Sequence, residues 1–253
     1  MLKYLVVGDT IVDEDIFLKA SGLSLESPTL KTTYTTTKVN YGGAANVAKF
    51  LTEMDMDVTF ITSLSPKYVE MLDLKVKTFY QGKDNIKKRY WVTHGDSTYK
   101  YLQINDVNDG SICPIIDVDV SDYDVIAFSD YRCGFISDEF ILRCLSSGKK
   151  TYASSQISSH PSNYHRYMEC DYIVCNETES KFVERDNNVC ITKGRRGCSL
   201  NGVEYFPFPV NTVVNTIGAG DCFYAAFLAT GDPDYANRRA AEFVESEIYE
   251  QSN

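Results

Sequence analysis

No apolar run in this sequence approaches the ~20 residues that a membrane-spanning helix needs. Histidine is scarce, at 3 residues, and no Cys-x-x-Cys pair occurs. His160 and His165 sit in the polar stretch SSHPSNYHRY without cysteines at ligand spacing, so no zinc centre is expected. The 8 cysteines are scattered, and Cys170, Cys175 and Cys190 lie in apolar surroundings, where a free thiol acts as a small hydrophobe. Reduced thiols are therefore expected rather than a disulfide framework. Basic charge is also short. With 25 Lys and Arg against 35 Asp and Glu, the net charge is -10, which lacks the basic footprint of a nucleic-acid or membrane-surface binder. No basic leader with a cleavage site precedes MLKYLVVGDT, so the cytoplasm is the expected compartment. Linkers rich in Pro, Ser or Gly, repeats and low-complexity tracts are all missing, so one domain over residues 1–253 is expected.

What the chain does have is a rhythm. YLVVG, DVTFITSL, DYDVIAFSD, KKTYASS, CDYIVCN, NVCITKG and VNTVVNT read as strands, with helical stretches such as NVAKFLTEM and ISDEFILRCLSSG between them. A closing helix starts near Asp221. Alternation of this kind predicts an α/β fold with a mostly parallel sheet. Ligands of such sheets bind at the carboxyl ends of the strands, where Gly8-Asp9, Asp130, Asn176, Thr192-Lys193-Gly194 and Gly218 to Asp221 fall. Two stretches break the rhythm. Leu30 to Asn40 and Asn85 to Asp106 are rich in Thr and Tyr with alternating polar residues, the pattern of antiparallel strands with one solvated face. They predict a small lid sheet, with lid segments at about 10–40 and 85–106.

Three constellations carry chemistry. In NTIGAGD, glycines before a helix let its unpaired N–H groups approach an anion closely, aided by the helix dipole. Asp221 in that first turn can take a proton from an incoming hydroxyl. The same residues also suit a plain turn with a dipole-complementing acid, and both readings stand on these residues alone. In GDTIVD and NYGGAANVA, Asp9 and Asp13 can accept hydrogen bonds from a polyol, Gly42 and Gly43 allow close backbone approach, and Asn46 offers a donor and an acceptor. In CNETE and CITKGRRG, Asn176 and Glu179 suit phosphate or hydrated magnesium, while Thr192 and Gly194 suit a nucleotide. NETE alone is also a helix start with acids in its first turn. No GxxxxGK[ST] P-loop occurs, and Phe223 stands where a Rossmann fingerprint needs its third glycine.

Taken in order, these motifs resemble the PfkB, or ribokinase-like, family of sugar and nucleoside kinases. NTIGAGD is similar to its C-terminal DTxGAGD signature, and Gly42, Gly43 and Asn46 to its N-terminal one. Asn176 to Glu179 is similar to its NxxE motif, and Thr192 to Gly194 to its strand-end TxG. Within the family the resemblance is strongest to heptose 7-phosphate kinases, through GDTIVD, SLESP, GGAANVA and FSDYRCG. Several positions depart from the pattern. Asn215 replaces an aspartate, Cys133 stands where that subgroup prefers Lys, Gly22 where it prefers Arg, and ASSQIS replaces a DPK-like strand end. The C-terminal part that helps to wall adenine in the family also looks trimmed.

The resemblance implies a three-layer α/β/α sandwich with a β lid, acting as an ATP-dependent sugar kinase. Asp221 would be the base, and Gly218, Ala219 and Gly220 the anion hole. Asp9, Asp13, Gly42, Gly43 and Asn46 would hold a sugar or sugar phosphate. Asn176, Glu179, Thr192, Gly194 and Gly197 would serve ATP and Mg²⁺, with Glu179 reaching the ion through water. Two copies would pair through the lid. A sugar- or nucleotide-binding regulator of the same fold, and a kinase of an unphosphorylated sugar or nucleoside, are the alternative readings.

Overall fold

The computed structural model describes residues 1–108, 114–156, 162–185, 187–214 and 216–246. His160, Asn215 and the end of ASSQIS lie outside the described residues. In chain order the elements are β1 (Lys3–Gly8), β2 (Thr10–Leu23), β3 (Leu30–Gly43), α1 (Ala44–Glu53), β4 (Asp57–Thr62) and α2 (Pro66–Val69). There follow β5 (Val76–Thr78), β6 (Ile86–His94), β7 (Ser97–Asp106), β8 (Val125–Asp130), α3 (Asp138–Leu145) and β9 (Lys150–Ser155). The last are β10 (Tyr172–Asn176), β11 (Val189–Thr192), β12 (Cys198–Leu200), β13 (Val203–Tyr205), α4 (Ala219–Thr230) and α5 (Pro233–Glu245).

Nine strands form one sheet in the order β13-β12-β11-β10-β9-β8-β1-β4-β5. It is parallel from β5 to β11, and β12 and β13 add an antiparallel hairpin at one edge. β1 and β8 are apolar on both faces because helices cover both, as buried parallel strands require. Alternation along β1 divides the core. Tyr4 and Val6 pack with α1, α4 and α5 through Leu51, Phe227 and Phe243. Leu5 and Val7 pack with α3 through Phe140 and Ile141 on the opposite face. The result is the expected α/β/α sandwich. β1 lies between β8 and β4, so crossovers leave it in opposite directions and open a crevice at its carboxyl end. A Cβ on Gly8 would lie 2.0 Å from the Ser129 carbonyl oxygen, so only glycine lets β1 and β8 close there.

β2 leaves β1 directly and β3 runs directly into α1, which roots a second, four-stranded sheet (β3-β2-β6-β7) at that crevice. It includes both Thr/Tyr-rich stretches, but not all its pairs are antiparallel, as their alternation had suggested. β2 and β6 run parallel, which sets Asp13, Glu14 and Asp15 beside Lys87, Lys88 and Arg89 in register. Opposite charges across a strand pair stabilise that choice of register. VNTVVNT is the other departure, because no described residue in it is a strand. Val213 and Val214 are 64% and 44% exposed, and Val214 N–H bonds the Val244 carbonyl (2.9 Å) at the end of α5. β propensity gains nothing without a neighbouring ladder.

Candidate active site

At the start of α4 the N-cap Gly218 has φ 93°, a left-handed conformation that glycine adopts without a Cβ penalty. A Cβ there would press on Asn46 Nδ2 at 3.3 Å. The Ala219 amide turns back to the Thr216 carbonyl (3.3 Å), whereas Gly220 and Asp221 lie in the first turn, where helical N–H groups lack intrahelical partners. Asp221 is half-buried and held on both oxygens. Tyr131 Oη donates to Oδ1 at 2.6 Å, and Asn46 Nδ2 donates to Oδ2 at 3.0 Å. Burial pushes its carboxyl up to about 6, against the lowering pull of those two hydrogen bonds. The same carboxylate, with burial as the larger cause, raises the Tyr131 phenol well above its ordinary range, so Tyr131 is the donor.

Gly218, Gly220 and Asp221 line a cavity of about 220 Å³ together with Asn176, Glu179 and Thr192. The chain thus brings three separate motifs to one space, and Tyr131, Ser154, Gln156 and Tyr224 complete much of the wall. Asn176 and Glu179 also cap one another. Asn176 Oδ1 accepts from the Glu179 amide (2.9 Å), and Glu179 Oε2 accepts from the Asn176 amide (2.8 Å). This reciprocal capping is the local structural reading of NETE. It leaves Glu179 only 4% exposed, at the cavity wall.

Gly194 and Gly197 are not among the cavity's lining residues. Gly197 (φ 86°) is required by packing, since a Cβ would meet the Tyr205 carbonyl oxygen at 2.1 Å. Asp13, Gly42 and Gly43 stand at the root of the small sheet. Asp13 pairs with Arg89 (2.9 Å), and a Cβ on Gly42 would sit 3.2 Å from Asp13 Oδ2. Gly43 (φ 68°) would place a Cβ 2.5 Å from the Asp9 carbonyl oxygen and 3.4 Å from the Tyr131 ring.

Asp9 differs from expectation. It is fully buried and accepts backbone N–H groups from Tyr131 (2.9 Å), Cys133 (3.2 Å) and Phe135 (3.4 Å). No surface remains for a sugar, because the loop after β8 wraps around the carboxylate. Burial first, and then the neighbouring charge of Asp130, push Asp9 up to about 7. Tyr131 lies within FSDYRCG but was not among the expected site residues; that segment and its position just past the end of β8 were the available signals.

Both Asp9 and Asp221 bind their proton more tightly folded than unfolded, where 3.8 is the ordinary value. Their contribution to stability is therefore full below about pH 4 and is lost as pH rises through about 6 and 7. In urea titrations across that range, Asp221→Asn should flatten part of the decline. An unchanged slope in the variant would mean that Asp221 does not titrate there.

Residues 175–243 match the profile of the pfkB family carbohydrate kinases, the stretch that carries NETE, TKG and GAGD. The match covers 69 of the 253 residues, the C-terminal part of the chain. The chain is 22% identical over 192 residues to the bifunctional protein HldE of Hydrogenovibrio crunogenus, covering 72% of this chain and 40% of that protein's length. The fold is similar to Arabidopsis thaliana ribokinase solved with ribose and ATP, at TM-score 0.71 and 17% identity over 97% of this chain and 93% of that one. A microbiome-derived acarbose kinase, Mak1, gives TM-score 0.71 and 15% identity over 100% and 95%. A Methanocaldococcus jannaschii nucleoside kinase gives 0.64 and 16% over 98% and 93%. Among the described residues no helix is long and apolar enough to cross a membrane, and no group of three His, Cys, Asp or Glu side chains could hold a metal ion unaided.

Proposed function

We propose that this chain is a PfkB-family, ATP-dependent kinase that transfers the γ-phosphoryl group to a hydroxyl of a sugar or sugar phosphate. The observation that carries this reading is the shared cavity of Gly218, Gly220, Asp221, Asn176 and Glu179. Asp221 accepts the acceptor's proton, while the amides of Gly220 and Asp221 and the dipole of α4 face the phosphoryl charge. Most of the rate gain is positioning and electrostatics, as in phosphoryl transfer generally. Magnesium fits one buried carboxylate plus substrate phosphates, because this ion keeps several waters and seldom uses an all-protein cage. Glu179 would hold it through water, and when bound it would neutralise phosphate charge.

Acceptor recognition falls to the small sheet, which acts as a lid. Asn40, Asp13, Lys87 and Asn105 occupy one row across it, so their side chains share a face. Hydroxyls suit Asp13 and the amides; a phosphate suits Lys87. That cation favours a heptose-phosphate-like acceptor despite Cys133. The decisive experiment is a panel of sugars and sugar phosphates with Mg-ATP, read as ADP release, in which at least one phosphorylated sugar should turn over. Sugar binding without ADP release from any member would favour a regulatory binding protein. The lid also supports pairing of two copies. β7 is exposed at every residue, with Tyr99, Tyr101, Leu102 and Ile104 between 43% and 59% exposed. Light scattering should give twice the 28.5 kDa chain mass, and a monomer at micromolar concentration would remove this part of the reading.

A further inference from the structure

We propose that Tyr131 is the positioning residue for Asp221: its hydroxyl fixes the carboxylate so that the remaining lone pairs face the cavity. The inference rests on reading Asp221 as the base. A carboxylate in a first helical turn can rotate about two side-chain bonds, and each orientation points its oxygens elsewhere. Here one oxygen is taken by Tyr131 at 2.6 Å and the other by Asn46 at 3.0 Å, so both rotations are arrested. A phenol donating to a carboxylate at that length is among the stronger hydrogen bonds in proteins.

Tyr131 is itself immobilised by its own loop and by the carboxylates beneath it. Its amide donates to Asp9 Oδ2 at 2.9 Å. Arg132 then takes φ 66°, sparsely populated for a residue with a Cβ, and its amide donates to Asp130 Oδ1 at 2.8 Å. Asp130 is fixed in turn by Tyr167 Oη (2.6 Å) and Asn163 Nδ2 (2.8 Å). Two buried carboxylates thus hold the loop from which the phenol projects, and the ring rests over Gly43 at the root of the lid. Backbone strain maintained by so many partners is what a positioning role requires. Among the described residues, the strongest charges acting on the phenol are Asp221 from α4, Glu179 after β10 and Asp13 from β2; Asn46 from α1 is neutral. These charges are all negative and burial acts in the same direction, so the phenol keeps its proton to donate.

Tyr131→Phe removes one oxygen atom and leaves the ring in place. Loss of a hydrogen bond to a charged group should lower kcat roughly 10- to 100-fold. The KM for ATP should stay within about twofold, and the acidic limb of the kcat/KM profile should move to higher pH, because a contact that favours the carboxylate is gone. A purely structural tyrosine would lower the melting temperature and leave that limb where it is. The second measurement needs no turnover: the Asp221 side-chain carboxyl carbon, titrated by NMR in the free protein, should also move to higher pH in Tyr131→Phe. If Asp221→Asn keeps its activity, the base assignment falls, yet the carbon titration still reports on the contact. A folded Tyr131→Phe with an unchanged acidic limb and an unchanged carboxyl titration would overturn the proposal.

Discussion

Asp221→Asn should lower sugar-dependent ADP formation by roughly 10²–10⁴-fold, the range for losing a general base. Mg-ATP should still raise the melting temperature of the variant. The amide keeps the shape of the carboxylate, and its oxygen can still accept from Tyr131. Its new NH₂ group would meet Asn46 Nδ2, now 3.0 Å from Oδ2, but Asn46 can turn its own oxygen toward it. The N-cap Gly218, the first-turn amides and Glu179 are untouched, so phosphate recognition should persist. A bound ligand raises stability by RT ln(1 + [L]/Kd), about 2.7 kcal/mol at a hundredfold excess. Turnover near that of the unsubstituted chain would remove Asp221 from the chemistry. Loss of the nucleotide shift together with activity would instead mean that the substitution had damaged the phosphate site.

What was legible in the sequence was what four to six neighbouring residues decide among themselves. Gly218 before Asp221 announces a left-handed N-cap, and Asn176 with Glu179 announces a reciprocal cap, because both are local geometry. The alternation of apolar runs likewise showed a parallel sheet, since strands covered on both faces must be apolar throughout. Contacts between remote segments left no such mark. Asn46 and Asp221 are 175 residues apart, and Tyr131 and Asp221 are 90 apart, so spacing alone does not join them. The parallel pairing of β2 with β6 is also long-range, whereas the antiparallel pattern that was expected fits adjacent hairpins such as β6–β7. Asp9 is the sharpest case: an acid after a strand reads as a ligand-facing group until a loop more than a hundred residues later closes over it.

That burial makes Asp9→Ala the substitution with the largest expected effect on the fold. Alanine would orphan the amides of Tyr131, Cys133 and Phe135, and each buried, unsatisfied N–H costs about 1–3 kcal/mol. Relief of an ionised, buried carboxyl beside Asp130 offsets part of this at neutral pH. A net loss of about 3 kcal/mol remains, worth roughly 10 °C in melting temperature for a chain of this size. Activity should fall with it, because Tyr131 loses the anchor that carries it to Asp221. If Asp9 instead held the sugar, its removal would raise the KM for the acceptor and leave the melting temperature nearly unchanged. Asp13→Asn supplies the contrast, as Asp13 stands on the small sheet beside Arg89 with its side chain 15% exposed. Its substitution should raise the acceptor KM about tenfold or more at a small cost in stability, since a site built to bond a hydroxyl loses most when a partner is removed. The two variants measured together separate a loop anchor from a sugar ligand. A stable Asp9→Ala with a raised KM would return Asp9 to the binding site and require the loop after β8 to open when the acceptor arrives.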